Sequence, residues 1–307
     1  AGELVVAQTA IVGSMLVNAL LVLGLVIVVG ARRAEGRLMR FSTRLPRDTA
    51  TLLLLSTFII VLLGLSLAAH DPASHHVKAI SAIGAGCLLV VYLTWAVPYL
   101  RGDVAPGGEK TRQRAAEGGS GAPAGGSDAA AGGSGTAVEG PGTAVEGPGA
   151  PAHGPRLSLG LALALVIAAG AGSAFVSEWF VAALKPAIAQ LHVSQAFAGL
   201  VIVAIAGNAV ENAAGVSLAY RRRFDLAISV VKNSVAQIAA FLFPALVLVS
   251  FALPTQLTFA LAPVYVGALV LTALALWQVA GDGRAAEFEG WALVALYVIL
   301  AALTLYE

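Results

Sequence analysis

The chain has 307 residues, of which 58% are hydrophobic and only 11% are charged. A soluble domain carries roughly 25% charged residues, so this composition excludes an ordinary soluble protein. The formal net charge of +1 gives no sign of nucleic-acid binding, and we expect the lipid bilayer and a small solute as partners.

Apolar residues stand in long uninterrupted blocks, for example from Ala50 to Ala69 and from Val77 to Val97. A helix needs about 20 such residues to cross a hydrocarbon core of about 30 Å. The sequence therefore predicts an all-α, polytopic membrane protein. Its predicted spanning helices are 4–30, 48–69, 77–98, 157–187, 194–219, 224–251, 257–279 and 287–306.

A stretch rich in Gly, Pro, Ala and Ser, residues 99–156, separates the third predicted helix from the fourth. It contains the repeat Gly-Thr-Ala-Val-Glu-Gly-Pro at 135–141 and again at 142–148. Such a composition buries too little apolar surface to offset the entropy of ordering, so we predict a disordered linker. The predicted parts are three helices in 1–98, the linker, and five helices in 157–307.

Basic residues concentrate on one side of this predicted topology. The loop 31–47 holds arginines throughout, and Arg221 to Arg223 form the turn after the fifth helix. The opposite loops 70–76, 188–193 and 252–256 hold no Arg or Lys. The positive-inside rule places the basic side and the linker in the cytoplasm. We expect a multi-pass protein of the plasma membrane, the inner membrane of a bacterium.

The predicted helix 194–219 contains the polar stretch Gly-Asn-Ala-Val-Glu-Asn at 207–212. Glu211 precedes the basic turn by about 15 Å at roughly 1.5 Å rise per residue, which is near the middle of the bilayer. Asn208 lies three residues earlier and projects from the same face. A glutamate that merely packs against a neighbouring helix is the alternative, but carboxylates inside membranes tend to mark ion paths or proton relays.

The next predicted helix carries Lys-Asn-Ser-Val-Ala-Gln at 232–237, at a similar depth. Ser234 and Gln237 share one face, and the short preceding turn makes the two helices antiparallel neighbours. A carboxylate with amide and hydroxyl oxygens suits a hard cation such as Ca²⁺ or Na⁺. Low dielectric also favours the protonated form of a carboxylate. One site held alternately by a cation and a proton would support exchange, so we expect Ca²⁺ and H⁺ as transported ions and no cofactor.

A third polar patch lies on the first predicted helix, where Ser14 and Asn18 interrupt an apolar run. By the predicted topology, helices 4–30 and 224–251 cross the membrane in opposite directions. Weak internal similarity between segments of opposite direction is typical of inverted repeats, which bind their ion at the interface between repeats. Asn18 is therefore a candidate for the site, although an amide that only packs helices is an equal alternative.

Four further polar residues are candidates for a supporting role: Asn212, Asn233, Lys232 and Glu178. Lys232 either extends to the membrane surface or pairs with Glu211. Glu178 is either a second carboxylate of the site or gate, or an interfacial residue at a helix end. The sequence shows no nucleophile–base pair, metal-ligand spacing or phosphate loop, so we do not expect an enzyme.

The stretches 207–212 and 233–237 resemble the calcium/proton (CAX-type) exchangers of the cation/calcium exchanger superfamily. Those proteins carry Gly-Asn-x-x-Glu on one helix and small-Ser-x-x-Gln on the next, once in each α-repeat. The resemblance implies an inverted-repeat exchanger fold, with 157–307 as a complete second repeat and 1–98 as a partial first repeat. Asn212 stands where many members have a histidine.

The resemblance also implies residue roles. Glu211 would bind the cation and the proton, and Asn208, Ser234 and Gln237 would assist it, while Ser14 and Asn18 match polar positions of the first repeat. The family's site takes one glutamate from each repeat. Two helices and the first Gly-Asn-x-x-Glu motif are not seen here, so we expect a truncated exchanger. Such a chain either transports ions by itself or is inactive.

The leading hypothesis is secondary active Ca²⁺/H⁺ antiport. One alternative is Na⁺-coupled exchange or exchange of another cation such as Mn²⁺ or K⁺, because selectivity depends on cavity size and ligand number. Another is a non-transporting membrane scaffold half that assembles with a partner.

Overall fold

The structure is a computed structural model that describes residues 2–42, 44–100 and 159–306. All but the first two residues of the predicted linker 99–156 lie outside the described residues. Contacts divide the chain into two compact units. The first contains Ala1–Asp103 and Ala187–Glu307, and the second contains Val104–Pro186.

Helices make up almost all of the described structure. They are α1 (2–33), α2 (Arg44–Ala68), α3 (Val77–Leu100), α4 (Leu159–Leu191), α5 (195–220), α6 (Phe224–Ser250), α7 (Pro263–Ala280) and α8 (Glu287–Leu305). Within the described ranges, seven helices are long and apolar enough to span a membrane, or eight if the two bent halves of α5 form one span. The predicted polytopic, all-α membrane architecture is confirmed.

Among the described helices, three contain a short π-helical segment, in which each backbone hydrogen bond reaches one residue further along the chain than in an α-helix. These segments are Val17–Val22 in α1, Ala198–Val203 in α5 and Ile238–Leu242 in α6. Such insertions are rare and occur frequently at functional sites. Apolar periodicity did not predict them, because a single added residue hardly changes the pattern of a helix that is apolar on all sides.

Helix α1 is the most enclosed span of the first unit: 78% of its most apolar stretch is buried, against 56% for α6 and 28% for α8. It packs against α5, α6 and α8. Glycines permit the closest approaches, because a Cβ on Gly24 would lie 2.7 Å from the carbonyl oxygen of Gly290 on α8. A Cβ on Gly13 would lie 2.6 Å from the Leu200 backbone on α5. The helix that carries Ser14 and Asn18 is therefore central to this unit.

A two-stranded antiparallel ribbon joins the loop between α1 and α2 to the loop between α7 and α8. Strand β1 (Leu38–Arg40) follows α1, and strand β2 (Arg284–Ala286) precedes α8. The register pairs Leu38 with Ala286, Met39 with Ala285, and Arg40 with Arg284. Met39 and Ala285 point inward and are fully buried. The sequence did not predict this ribbon, since each strand has only three residues.

The predicted start of the seventh helix at residue 257 is wrong, because α7 begins at Pro263. The backbone N–H of Leu257 donates to Oγ of Ser250 at 2.8 Å, and that of Phe259 donates to Oγ of Ser81 at 3.2 Å. These side-chain bonds satisfy amides that are buried outside any helix. The segment 251–262 is therefore an ordered connection rather than the first turns of a helix.

The second unit contains most of helix α4, a helix of 33 residues with Pro186 inside it. The prediction placed this helix at 157–187, and the structure extends it to Leu191. His192 then adopts a positive φ of 54°, which ends the helix. Glu178 lies on this helix.

Candidate functional site in the first unit

Asn18 lies in the π-helical segment of α1 and is fully buried. Its amide nitrogen Nδ2 donates hydrogen bonds to Oδ1 of Asn208 at 3.1 Å and to Oγ of Ser234 at 2.9 Å. These partners belong to α5 and α6, respectively. One side chain therefore connects the three predicted polar patches.

The hydrogen-bond network fixes how the two amides are turned. Nδ2 of Asn208 donates to the backbone oxygen of Ala204 at 2.7 Å, and a carbonyl oxygen can only accept. Oδ1 of Asn208 must then face Asn18, so Asn18 must present its nitrogen. The remaining atom, Oδ1 of Asn18, is buried and has no hydrogen-bond partner among the described residues. Buried polar atoms in proteins are usually paired, and an amide oxygen can accept a hydrogen bond or coordinate a hard cation.

Helix α5 is broken next to this network. Its halves, Gln195–Gly207 and Ala209–Tyr220, meet at an angle of 59°. Asn208 lies at the break with φ −108° and ψ 15°, outside the helical region. The negative end of one half-helix and the positive end of the other both meet here. Broken membrane helices of this kind form ion and substrate sites in secondary transporters.

Glu211 lies in the first turn of the second half of α5 and is half-buried. It faces a cavity of about 580 Å³. The cavity's polar lining residues are Ser14, Tyr92, Asn208, Glu211, Ser234 and Gln237. Five of the six predicted binding residues thus line one cavity, and the sixth, Asn18, lies behind Asn208 and Ser234.

The oxygens around this cavity suit a hard cation. Ca²⁺ takes about six to eight oxygen ligands and accepts carboxylate, amide, hydroxyl and water oxygens. The Glu211 carboxylate could be joined by side-chain oxygens of Ser14, Asn208, Ser234 and Gln237. Amide and hydroxyl oxygens have two lone pairs, so the bonds from Asn18 leave a lone pair free on each acceptor. In the described part of the chain, no group of three or more His, Cys, Asp or Glu could hold a metal.

The supporting candidates lie elsewhere. Asn212 and Asn233 are half-buried and do not line the cavity, and Glu178 belongs to the second unit. Lys232 is only 1% exposed, so it does not reach the surface. Its Nζ has no hydrogen-bond partner among the described residues, so it does not pair with Glu211 either. Neither predicted alternative for Lys232 is observed.

Tyr92 is a cavity residue that the sequence reasoning missed. It lies on α3, with its ring centroid 5.3 Å from that of Phe241 on α6, and its side chain interacts with that of Gln237. The available signal was a tyrosine within an otherwise apolar span, because a buried tyrosine hydroxyl usually needs a polar partner. Its partner could not be identified without the packing of α3 on α6.

The model of the sodium/calcium exchanger protein family matches residues 1–98 and 161–306. The Ca(2+)/H(+) antiporter ChaA of Bacillus subtilis is 34% identical over 147 residues, which is 48% of this chain and 42% of that protein. The Ca(2+)/H(+) antiporter of a Synechocystis species is also 34% identical over 147 residues, 48% of this chain and 39% of that protein. The vacuolar calcium ion transporter of Schizosaccharomyces pombe is 26% identical over 309 residues, covering 99% of this chain and 66% of that protein.

The solved structure of native YfkE covers all of this chain and 81% of its own, with a TM-score of 0.68 and 23% identity. This likeness confirms the predicted exchanger fold. The chain spans less than half the length of the two bacterial relatives, 42% and 39%.

Proposed function

Because the chain belongs to the sodium/calcium exchanger protein family, we propose that it provides the ion site of a secondary antiporter that exchanges Ca²⁺ for H⁺. The observation that carries the proposal is Glu211, a carboxylate inside the membrane span that shares a cavity with Asn208, Ser234 and Gln237. Relatives named as Ca(2+)/H(+) antiporters support it.

The proposed mechanism uses one carboxylate for both ions. Ionised Glu211 binds the cation together with the neutral oxygens around it, and protonation of the carboxylate removes the charge that holds the cation. The two ions then exclude each other, which couples their movement in opposite directions. The broken helix α5 carries Glu211 next to its hinge, so a change in the 59° bend would alter access to the site.

A monovalent cation is the second candidate for transport. Within the described residues the cavity contains a single carboxylate, which neutralises only half the charge of Ca²⁺. The buried Lys232 lies on the same helix as Ser234 and Gln237, and its ammonium form adds a positive charge there. Both features favour Na⁺ or K⁺ over a divalent ion, whereas the names of the relatives favour Ca²⁺.

The remaining properties follow from the same proposal. We infer a transporter rather than an enzyme, acting on a small cation, without a cofactor and without a nucleic-acid partner. We place it in the plasma membrane of a bacterium. The bacterial antiporters among its relatives support this placement, and a vacuolar calcium ion transporter is also a relative.

The test is ion uptake into proteoliposomes that contain the purified chain and an acidic interior. Outward movement of protons should drive accumulation of radiolabelled Ca²⁺, and a proton ionophore should abolish it. Accumulation of Na⁺, K⁺ or Mn²⁺ instead would replace the cation but keep the site. If no cation accumulates in this preparation or in a preparation of a longer natural protein that contains this chain, the transport proposal fails and a scaffold role is favoured.

A further inference from the structure

The ribbon between β1 and β2 places two arginines directly opposite each other. Arg40 pairs with Arg284 in the antiparallel register, and both side chains are exposed. Opposed residues on antiparallel strands project from the same face, with Cβ atoms about 4.5–5.5 Å apart. Like charges in this position destabilise the strand pair. The ribbon therefore carries an electrostatic penalty that an anion would relieve.

Among the described residues, no carboxylate forms an ion pair with Arg40 or Arg284. The ion pair found there joins Arg32 to Glu287 at 2.7 Å and involves neither ribbon arginine. Asp282 uses Oδ1 to accept the backbone N–H of Arg284 at 3.0 Å. Asp225 uses Oδ1 to accept the backbone N–H of Ser42 at 2.7 Å. These two carboxylates therefore bond to the backbone, and neither ribbon guanidinium group has an ion-pair partner among the described residues.

The ribbon's place in the fold indicates what that partner is. Strand β1 connects α1 to α2, and β2 connects α7 to α8, so the ribbon lies where four membrane helices end. The basic turn Arg221–Arg223 is tied to the same end through the bond from Ser42 to Asp225. Arg33 at the end of α1 stacks 3.7 Å from the ring centroid of Tyr220 at the end of α5, and tyrosine is enriched at membrane–water interfaces. The basic residues and the tyrosine at these helix ends indicate the level of the lipid headgroups.

We propose that Arg40 and Arg284 together bind the phosphate of an anionic phospholipid headgroup. Two guanidinium groups on one face can each donate paired hydrogen bonds to phosphate oxygens. The bound phosphate replaces repulsion across the ribbon with two attractions, so it strengthens the junction between the α1–α2 and α7–α8 connections. The proposal does not depend on which cation the chain transports.

The experiment measures thermal unfolding of the full chain in micelles of a phosphate-free sugar detergent, with and without added phosphatidylglycerol. The variants are Arg40→Gln and Arg284→Gln. The control is Arg221→Gln, which removes an exposed arginine from the basic turn without touching the ribbon. In detergent alone we expect each ribbon variant to unfold at a higher temperature than the wild type, by about 2 °C or more, because the repulsion between the two arginines is gone.

Phosphatidylglycerol should raise the unfolding temperature of the wild type and of Arg221→Gln, and should leave both ribbon variants nearly unchanged. An equal rise in all four proteins would overturn the proposal, because it would show general attraction to a charged micelle. Inorganic phosphate provides a further arm. If it stabilises the wild type in detergent as much as phosphatidylglycerol does, the ligand is a free anion and the lipid proposal is wrong.

Discussion

Nδ2 of Asn18 lies 3.1 Å from Oδ1 of Asn208, and this hydrogen bond joins the centre of α1 to the break in α5. The same nitrogen also donates to Ser234 on α6. Residues separated by 190 and 216 positions in the chain therefore share one buried donor. The cation site proposed above is built around this junction.

Asn18→Leu should destabilise the protein, because a side chain of similar size would remove the donor and leave two buried acceptors on α5 and α6 without it. A buried polar group that loses its partner costs about 1–3 kcal/mol. Thermal or denaturant unfolding in detergent would measure the loss. Ser14→Ala, one turn away on the same helix, is the control and should change stability by less than Asn18→Leu. An Asn18→Leu variant as stable as the wild type would show that these two hydrogen bonds do not stabilise the fold.

Glu211→Gln should abolish proton-driven cation uptake while the protein still inserts and folds, since the change removes a charge and little volume. We expect uptake to fall by at least about tenfold, as carboxylates inside membranes carry ion and proton binding. Glu35→Gln, at an exposed loop position, should transport normally. Uptake at the wild-type rate in Glu211→Gln would remove this residue from the site.

Gly290→Ala should weaken the contact between α1 and α8. The new Cβ would lie 2.7 Å from the carbonyl oxygen of Gly24, and backbone atoms of two packed helices cannot easily move apart. Overpacking of this kind costs about 1–3 kcal/mol. Gly267→Ala on α7 is the matched control, because its Cβ would meet nothing within 4 Å. There alanine should be neutral or stabilising by roughly 0.5–1 kcal/mol. If the two variants unfold at the same temperature, that result contradicts the observed packing of α1 on α8.

Lys232→Met should stabilise the protein. Lys232 is among the largest fully buried side chains, and Nζ has no hydrogen-bond partner among the described residues. Burial of an amine without a partner is costly, whereas Met fills nearly the same volume without a polar group. We expect a gain of about 1–3 kcal/mol, with no change for Lys78→Met at an exposed position. A loss of stability in Lys232→Met would reveal that the ammonium has an acceptor.

The elements of the site were largely predictable from their spacing. Two pairs, Asn208 with Glu211 and Ser234 with Gln237, are each separated by three residues. This interval places both members of a pair on one helix face. Their roles in ion binding stay predictions. The bend at Asn208 was not predicted, since neither proline nor a run of glycines marks it. Tyr92 was missed because its link to Gln237 depends on how α3 packs against α6.

The sequence by itself determined that this is a polytopic helical membrane protein with polar residues at the middle of its spans. Those properties follow from local chemistry. Apolar blocks of about 20 residues are long enough to span a bilayer, and a polar side chain inside such a block is costly and therefore marks a functional site. Only the tertiary structure decided which way each amide faces, where α7 begins, and that Arg40 stands opposite Arg284. Each of these depends on contacts between residues far apart in the chain, and helix periodicity carries no information about such contacts.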